Sequence, residues 1–302
     1  MVIKNFDELL ERLRGQASVR RVALVAAEDI HALEALIDAN KEGLVEPLLI
    51  GDEKRIRELL LELNCDASFE ILDEKVPEEA AKMAVELARE GRVDFLMKGA
   101  IETSGLLRAV VDKEKGLGQG RLMSHFVMME IPSYHKLFVT TDGGMVMYPG
   151  LVEKKEILLN ALDTLWAMGY KEPKVAVLAA VEKLNPKMPE TVDAAALKEM
   201  YLKGEIKDCI IEGPISYDLA MNRESSEIKG YSSPVAGDPD LLLVPNIAVG
   251  NIMSKALIYS AGGKMAGIVV GAKVPIVLTS RGSSAEEKFL SLALAALSSE
   301  RS

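Results

Sequence analysis

The sequence has few of the residues that disulfide-bonded, metal-binding or membrane-spanning proteins need. Its 302 residues include two cysteines, Cys65 and Cys209, and three histidines, His31, His125 and His135. Two cysteines form no disulfide framework, and the histidines share no metal-ligand spacing with them. No apolar run is long enough to span a bilayer, and the first residues have no secretory apolar region. These absences predict a cytoplasmic protein with no metal site and no membrane partner.

Basic residues are also in deficit. Lysine and arginine total 36 against 46 aspartates and glutamates, a net charge of −10. This balance argues against nucleic acid as a partner, although local basic groups can still bind an anionic substrate. The chain has no Walker loop and no Gly-x-Ser-x-Gly elbow. Gly116-x-Gly118-x-Gly120 has the wrong spacing for a dinucleotide fingerprint and precedes a strand pattern, where that motif would follow one.

The hydrophobic content is sufficient for a large core, because 49% of the residues are hydrophobic. Strand and helix patterns alternate regularly over residues 6–111, which predicts a parallel, doubly wound sheet. A strand-rich stretch over residues 123–146 predicts a mixed sheet, and alternation then resumes. We therefore predict two α/β domains with a ligand cleft between them. Domain I comprises residues 1–118 and 270–302, and domain II comprises residues 119–269.

The stretch from Lys273 to Glu287 is the strongest candidate for a site. An apolar run typical of a buried strand ends at Thr279, and a turn follows through Ser280, Arg281 and Gly282. Ser283 and Glu286 have the spacing of a capping box, so the next helix is expected to start at Ser283 or Ser284. Hydroxyls, a guanidinium and helix N–H groups would then converge beyond a strand end, where open α/β sheets bind anions. A surface helix start with an ion-paired arginine is the alternative.

A second strand end carries a cation. Lys98 terminates the apolar run 93–98 just before Gly99, so its ammonium is expected at the carboxyl edge of the sheet. Thr103 and Ser104 can cap the next helix, on which Arg108 lies between apolar residues. A solvated charge on a helix surface remains the alternative for Arg108.

Six stretches have a specific order and spacing: 93–100 with Arg108, 141–146, 212–218, 233–237, 244–251 and 279–281. Taken together, they resemble the phosphate acetyl/butyryltransferase family over nearly the whole chain. Its length and Met-Lys-Gly sequence look more like the butyryl branch. The resemblance implies a fold similar to the isocitrate/isopropylmalate dehydrogenases and a homo-oligomer. It also implies reversible transfer of a short-chain acyl group between coenzyme A and inorganic phosphate in a ternary complex. The partners are then acyl-CoA, phosphate and acyl phosphate, with coenzyme A as a substrate and no permanently bound cofactor.

The resemblance also implies residue roles. Ser280 would orient the thiol or the developing oxyanion, and Arg281 and Arg108 would hold phosphate and transition-state charge. Glu287 is the favoured general base and Glu286 the alternative. Both carboxylates could instead complement the helix dipole. The implied substrate-binding residues are Lys98, Gly99, Thr103, Asn251, Ser283 and Ser284.

This chain departs from both branches of the family near the expected base. The acetyltransferases have an aspartate where this chain has Glu287, and the butyryltransferases often have Ala-Asp where it has Gly282-Ser283. The base is therefore the least secure of the implied roles.

Two other functions stay open at this point. A metal- and nicotinamide-dependent decarboxylating dehydrogenase of related fold would need a cluster of metal-binding aspartates, and Asp238 and Asp240 are only two. A non-catalytic acyl-CoA-sensing domain would bind the thioester without turnover.

Overall fold

A computed structural model describes residues 2–279 and 282–299 of the chain. The fold is α/β, as predicted, and the chain divides into two compact units. We call residues 2–5 and Leu122–Met265 the central unit, and Phe6–Arg121 with residues 266–299 the terminal unit. None of the helices in the described ranges is long and apolar enough to cross a membrane.

The terminal unit has strands in the order β3-β2-β1-β4-β11-β10. All pairs from β3 to β11 are parallel, and β10 is antiparallel to β11. The order 3-2-1-4 is that of doubly wound sheets, in which ligands bind where the strand order reverses, here between β1 and β4. The strands are β1 (Arg20–Val25), β2 (Val45–Gly51), β3 (Glu70–Asp73), β4 (Phe95–Lys98), β10 (Lys264–Val270) and β11 (Ile276–Val277).

Helices cover this sheet, and two of them begin at aspartate caps. The carboxylate of Asp29 accepts hydrogen bonds from the first turn of α2, and that of Asp52 does so for α3. Helix α11 packs against α1 and α2, and α4 packs against α5. The helices are α1 (Phe6–Arg14), α2 (Ile30–Lys41), α3 (Glu53–Glu62), α4 (Pro77–Arg89), α5 (Thr103–Val110) and α11 (Ala285–Ser298).

The central unit has strands in the order β5-β6-β9-β7-β8. Strands β5 and β6 form an antiparallel pair, and the remaining pairs are parallel, so this sheet is mixed as predicted. The strands are β5 (Ser124–Glu130), β6 (Phe138–Thr141), β7 (Lys174–Leu178), β8 (Ile210–Ile215) and β9 (Leu241–Leu243). The helices are α6 (Leu151–Ala167), α7 (Pro189–Leu202), α8 (Tyr217–Met221), α9 (Arg223–Ile228) and α10 (Ile247–Tyr259).

A buried charge network joins the amino ends of three central strands. The Lys136 ammonium, before β6, lies 2.7 Å from Asp240 Oδ1 and 2.9 Å from Asp238 Oδ1. The other Asp240 oxygen accepts the backbone N–H of Lys174, the first residue of β7, at 2.8 Å. Lys174 Nζ pairs with Asp238 at 2.5 Å. Lys136 and Asp240 are almost fully buried, so this network ties β6, β7 and β9 together away from water.

Several elements differ from the sequence-based expectation. Helices α8 and α9 and strand β10 occur where the pattern indicated none, and β11 is only two residues long. Residues 143–146 form a loop, although they were expected within the strand-rich stretch. Helix α5 is preceded by Glu102 without a side-chain cap, so Thr103 and Ser104 do not cap it.

Candidate active site

Lys98 and Gly99 lie at the point where the strand order of the terminal unit reverses. The last residue of β4, Lys98, is opposite Val25 at the end of β1. The backbone N–H of Gly99 donates to Val25 O at 2.8 Å. A Cβ on Gly99 would lie 2.2 Å from the carbonyl oxygen of Ala26, so this close approach of two backbones requires glycine. Lys98 Nζ donates to Gly99 O at 3.1 Å and has no ion-pair partner in the part of the chain that the structure describes.

Strand β11 brings the loop after it to the same edge. Val277 is opposite Met97, so Leu278 and Thr279 follow beside Lys98 and Gly99 in the parallel pair. The two predicted catalytic residues of this loop, Ser280 and Arg281, lie outside the described residues. Their roles stay predictions.

Glu287 is held at the start of α11 by two serines. Ser283 Oγ donates to Glu287 Oε1 at 2.6 Å, and the backbone N–H of Glu287 donates to Ser284 Oγ at 3.1 Å. The helix cap is therefore Ser284 with Glu287, and not the predicted pair of Ser283 with Glu286. Burial raises the pKa of the Glu287 carboxyl, although the Ser283 hydroxyl and the nearby Lys288 favour its charged form. A raised pKa makes a carboxylate a stronger base.

Glu286, the alternative base, has a different environment. It is exposed and lines a shallow groove with Ala35, Asp38 and Lys41 of α2. Both carboxylates therefore stay predicted candidates for the base.

Arg108 is exposed in the last turn of α5 and has no ion pair within the described ranges. It lines a groove of about 660 Å³ between α4 and α5, together with Lys82, Arg89, Asp112 and Lys115. The cations of this groove are balanced by acidic residues, so it is not a simple basic patch. Thr103 is exposed at the first position of the same helix.

Asn251 belongs to the central unit, unlike the other predicted site residues. It is exposed on α10, and its side-chain amide donates to Gly143 O at 3.3 Å. The loop that begins with Asp142 and Gly143 follows β6 directly. Asn251 therefore contacts the loop that follows β6, and its role in substrate binding stays a prediction.

The central unit also contains a cavity that the sequence did not reveal. Its volume is about 760 Å³, and it lies where β7 and β9 end and where α6, α7 and α10 begin. Within it, the buried Lys154 ammonium pairs with Asp193 at 2.6 Å. Finding this cavity requires the strand order, which brings β7 next to β9 although more than 60 residues separate them in the chain. Its lining includes Tyr148, Lys154, Asp193, Tyr217, Val249 and Met253.

Among residues 2–279 and 282–299, no three His, Cys, Asp or Glu side chains are grouped so that they could hold a metal ion. Asp238 and Asp240 are instead neutralised by Lys136 and Lys174.

The fold and these groups define an α/β protein with two charged side chains after adjacent parallel strands. Lys98 is at the end of β4, and the carboxylate of Glu287 is in the first turn of α11, which follows β11. The family model described as phosphate acetyl/butaryl transferase matches residues 67–296. The chain is 42% identical over 297 residues to a phosphate butyryltransferase of Clostridium acetobutylicum, with 98% of each chain covered. It is 40% identical to a phosphate acetyltransferase of Thermotoga maritima, over 96% of this chain and 98% of the relative.

A solved structure supports the same relationship. The crystal structure of a branched-chain phosphotransacylase from Enterococcus faecalis V583 has a TM-score of 0.84 and 31% identity, over 94% of this chain and 100% of that one. This chain therefore belongs to the phosphate acetyl/butyryltransferase family. The predicted family and the predicted enzyme class, an acyltransferase, are confirmed.

Proposed function

We propose that this chain is a phosphate acyltransferase that moves a short-chain acyl group, such as butyryl, between coenzyme A and inorganic phosphate through a ternary complex. The observation that carries the proposal is the position of Glu287 in the chain after the Ser280-Arg281 pair. Its carboxylate is half-buried and accepts a hydrogen bond from the hydroxyl of Ser283. The full-length relationship to the family supplies the reaction class.

In the direction of thioester synthesis, the sulfur of coenzyme A attacks the carbonyl carbon of an acyl phosphate. The C–S bond forms, the bond from carbon to the phosphate oxygen breaks, and phosphate leaves. A thiol with a pKa near about 8.5 is mostly protonated at pH 7, so Glu287 accepts its proton as the sulfur attacks. In the reverse direction the protonated Glu287 returns that proton to the departing thiolate.

The leaving phosphate needs fixed positive charge. The planar guanidinium of Arg281 and that of Arg108 suit a phosphate through paired hydrogen bonds. Lys98 adds a cation at the edge shared by β4 and β11, and Gly99, Thr103, Ser283, Ser284 and Asn251 remain proposed substrate contacts. Ser280 orients the thiol or the carbonyl oxygen. Holding both substrates in this geometry supplies much of the rate.

The assay mixes the chain with inorganic phosphate and acetyl-, propionyl-, butyryl- or branched acyl-CoA and follows free thiol with a thiol reagent. Thiol release that requires phosphate is the expected result. Arg281→Ala is expected to reduce turnover by orders of magnitude. Arg92→Ala changes an exposed arginine that is distant from Arg281 in the sequence, and it is expected to leave turnover unchanged. The absence of thiol release with every thioester would refute the function, and acyl-CoA binding without turnover would support the sensing alternative.

We also propose that a second copy of the chain covers helix α10. This helix is apolar, yet Gly250 is its only buried residue. Val249, Ile252 and Tyr259 are 41%, 69% and 82% exposed. Isologous dimers bury such a surface against its own equivalent.

Light scattering is expected to give a multimer for the native chain and a monomer for Ile252→Glu. Leu61→Glu, which changes an equally exposed leucine of the terminal unit, is expected to leave the mass unchanged. A native monomer would contradict the proposal.

Three further points stay predictions: a ligand cleft between two domains related to the isocitrate/isopropylmalate dehydrogenase fold, a cytoplasmic location, and the use of coenzyme A as a substrate with no permanent cofactor. A structure with coenzyme A bound would test the first and the third.

A further inference from the structure

The cavity of the central unit has no part in the acyl transfer proposed above. All of its lining residues lie between Tyr148 and Met253, so it belongs to the central unit alone. Its volume of about 760 Å³ is within the range of about 300–1,000 Å³ that is usual for small-molecule sites. Its walls are mainly apolar and include Leu178, Pro245 and Val249. Such a cavity is suited to hold a ligand with an apolar body.

The ammonium of Lys154 lines this cavity and has N–H groups to spare. Lys154 is 5% exposed, and its Nζ donates to Asp193 Oδ2 at 2.6 Å. An ammonium has three N–H donors, and Asp193 is the only acceptor for them among the described residues. Buried N–H groups without an acceptor are costly, so the remaining donors require acceptor atoms inside the cavity.

The carboxylate of Asp193 presents the opposite group beside them. Its side chain is 18% exposed, and it lines the same cavity from α7. Oδ2 accepts from Lys154, whereas Oδ1 receives no hydrogen bond from the part of the chain that the structure describes. The ion pair therefore presents unused donors and an unused acceptor next to each other.

The charges around the cavity nearly cancel. Lys154 and Asp193 neutralise each other. Helix α6 begins after Gly150 and α7 after Met188, and neither has a side-chain cap, so each helix start contributes about half a positive charge. Glu190, which also lines the cavity, offsets that charge. A charged ligand would lose its hydration without meeting a net opposite charge, so a neutral ligand is favoured.

We propose that this cavity is a binding site for a primary carboxamide with an apolar body of several carbons. The carbonyl oxygen accepts from the Lys154 ammonium, and an amide N–H donates to Asp193 Oδ1. The apolar body lies against the walls that include Leu178, Val249 and Met253. A primary carboxamide carries an oxygen and an N–H on one edge, as the ion pair requires. A trans secondary amide has them on opposite sides, so the amides of coenzyme A do not match this pair.

The first test measures binding of four probes to the full chain at pH 7 by calorimetry. Hexanamide is the neutral primary carboxamide, hexanoate and hexylamine are its charged counterparts, and N-methylhexanamide is the trans secondary amide. Hexanamide is expected to bind at least about tenfold more tightly than each of the others, which corresponds to one hydrogen bond to a charged group. No binding of hexanamide, or equal or tighter binding of another probe, would overturn the inference.

Two substitutions then locate the site. Ala180 is an exposed residue of the lining, so Ala180→Trp is expected to fill the cavity and abolish hexanamide binding without unfolding the chain. Ala67→Trp changes an exposed alanine of the terminal unit and is expected to leave binding unchanged. Full binding in Ala180→Trp, with an unfolding midpoint like that of Ala67→Trp, contradicts a site in this cavity.

A change of charge tests the contact with the ion pair. Asp193→Asn keeps the size of the side chain but leaves the buried Lys154 ammonium without its counter-charge. The preference is therefore expected to reverse, with hexanoate binding at least about tenfold more tightly than hexanamide, because the carboxylate replaces the missing charge. A preference that stays with hexanamide would show that the probe does not reach the ion pair, and the inference would fail. None of these measurements depends on acyl transfer.

Discussion

Replacing Lys136 by Met is expected to destabilise the central unit strongly. The Lys136 ammonium donates to Asp240 Oδ1 at 2.7 Å and to Asp238 O at 3.1 Å, and both side chains of the Lys136–Asp240 pair are 5% exposed. Removing one partner of a buried ion pair leaves the other charge without compensation, which costs about 3–5 kcal/mol. Met fills a similar volume, so the loss is mainly electrostatic.

The assay is urea unfolding at pH 7, with Lys174→Met as the matched control. Lys174 contacts the same network through Asp238, but its side chain is 29% exposed and its backbone bond to Asp240 survives the substitution. Lys174→Met is expected to cost about 1 kcal/mol. If Lys136→Met costs no more than Lys174→Met, the buried charge does not stabilise the fold in the way described.

The pH dependence provides an independent check. Burial alone would raise the pKa of Asp238, but hydrogen bonds from Lys174, Lys136 and His135 outweigh it and hold that pKa well below its usual range. A carboxyl with a depressed pKa stabilises the folded state above its unfolded pKa of about 3.9. That stability is lost as the pH falls through the folded pKa. The free energy of unfolding is therefore expected to decrease below about pH 4, and less steeply in Lys136→Met. An identical acid dependence in both chains would contradict the assignment.

Three other predictions concern the candidate site. Glu287→Gln is expected to lower kcat about 10²–10⁴-fold, whereas Glu286→Gln is expected to have little effect; equal losses would reject Glu287 as the base. Ser283→Ala removes a hydrogen bond that favours the Glu287 carboxylate, so the acid limb of the kcat/KM profile is expected to move to higher pH. A limb that moves to lower pH would contradict that contact. Gly99→Ala forces apart the backbones at the ends of β1 and β4 and is expected to cost about 1–3 kcal/mol in urea unfolding, whereas Gly118→Ala, in open space, costs less.

The sequence was sufficient for most of the regular elements. The apolar pattern predicts a helix over residues 6–14 and a strand over residues 174–178, and these are the bounds of α1 and β7. Both patterns are regular, and their ends are marked by charged or Gly/Pro residues. Strand β10 was missed because Gly267 interrupts its apolar run. Helices α8 and α9 are too short to show a period.

The candidate site was predictable only where its residues are adjacent in the chain. The motif from Thr279 to Glu287 and the strand end at Lys98 could be recognised in this way. The contact of Ser283 with Glu287 could not, because the two serines before α11 compete for the cap and only geometry decides between them. The close approach of Gly144 to the His125 ring could not be predicted either, because it depends on the pairing of β5 with β6.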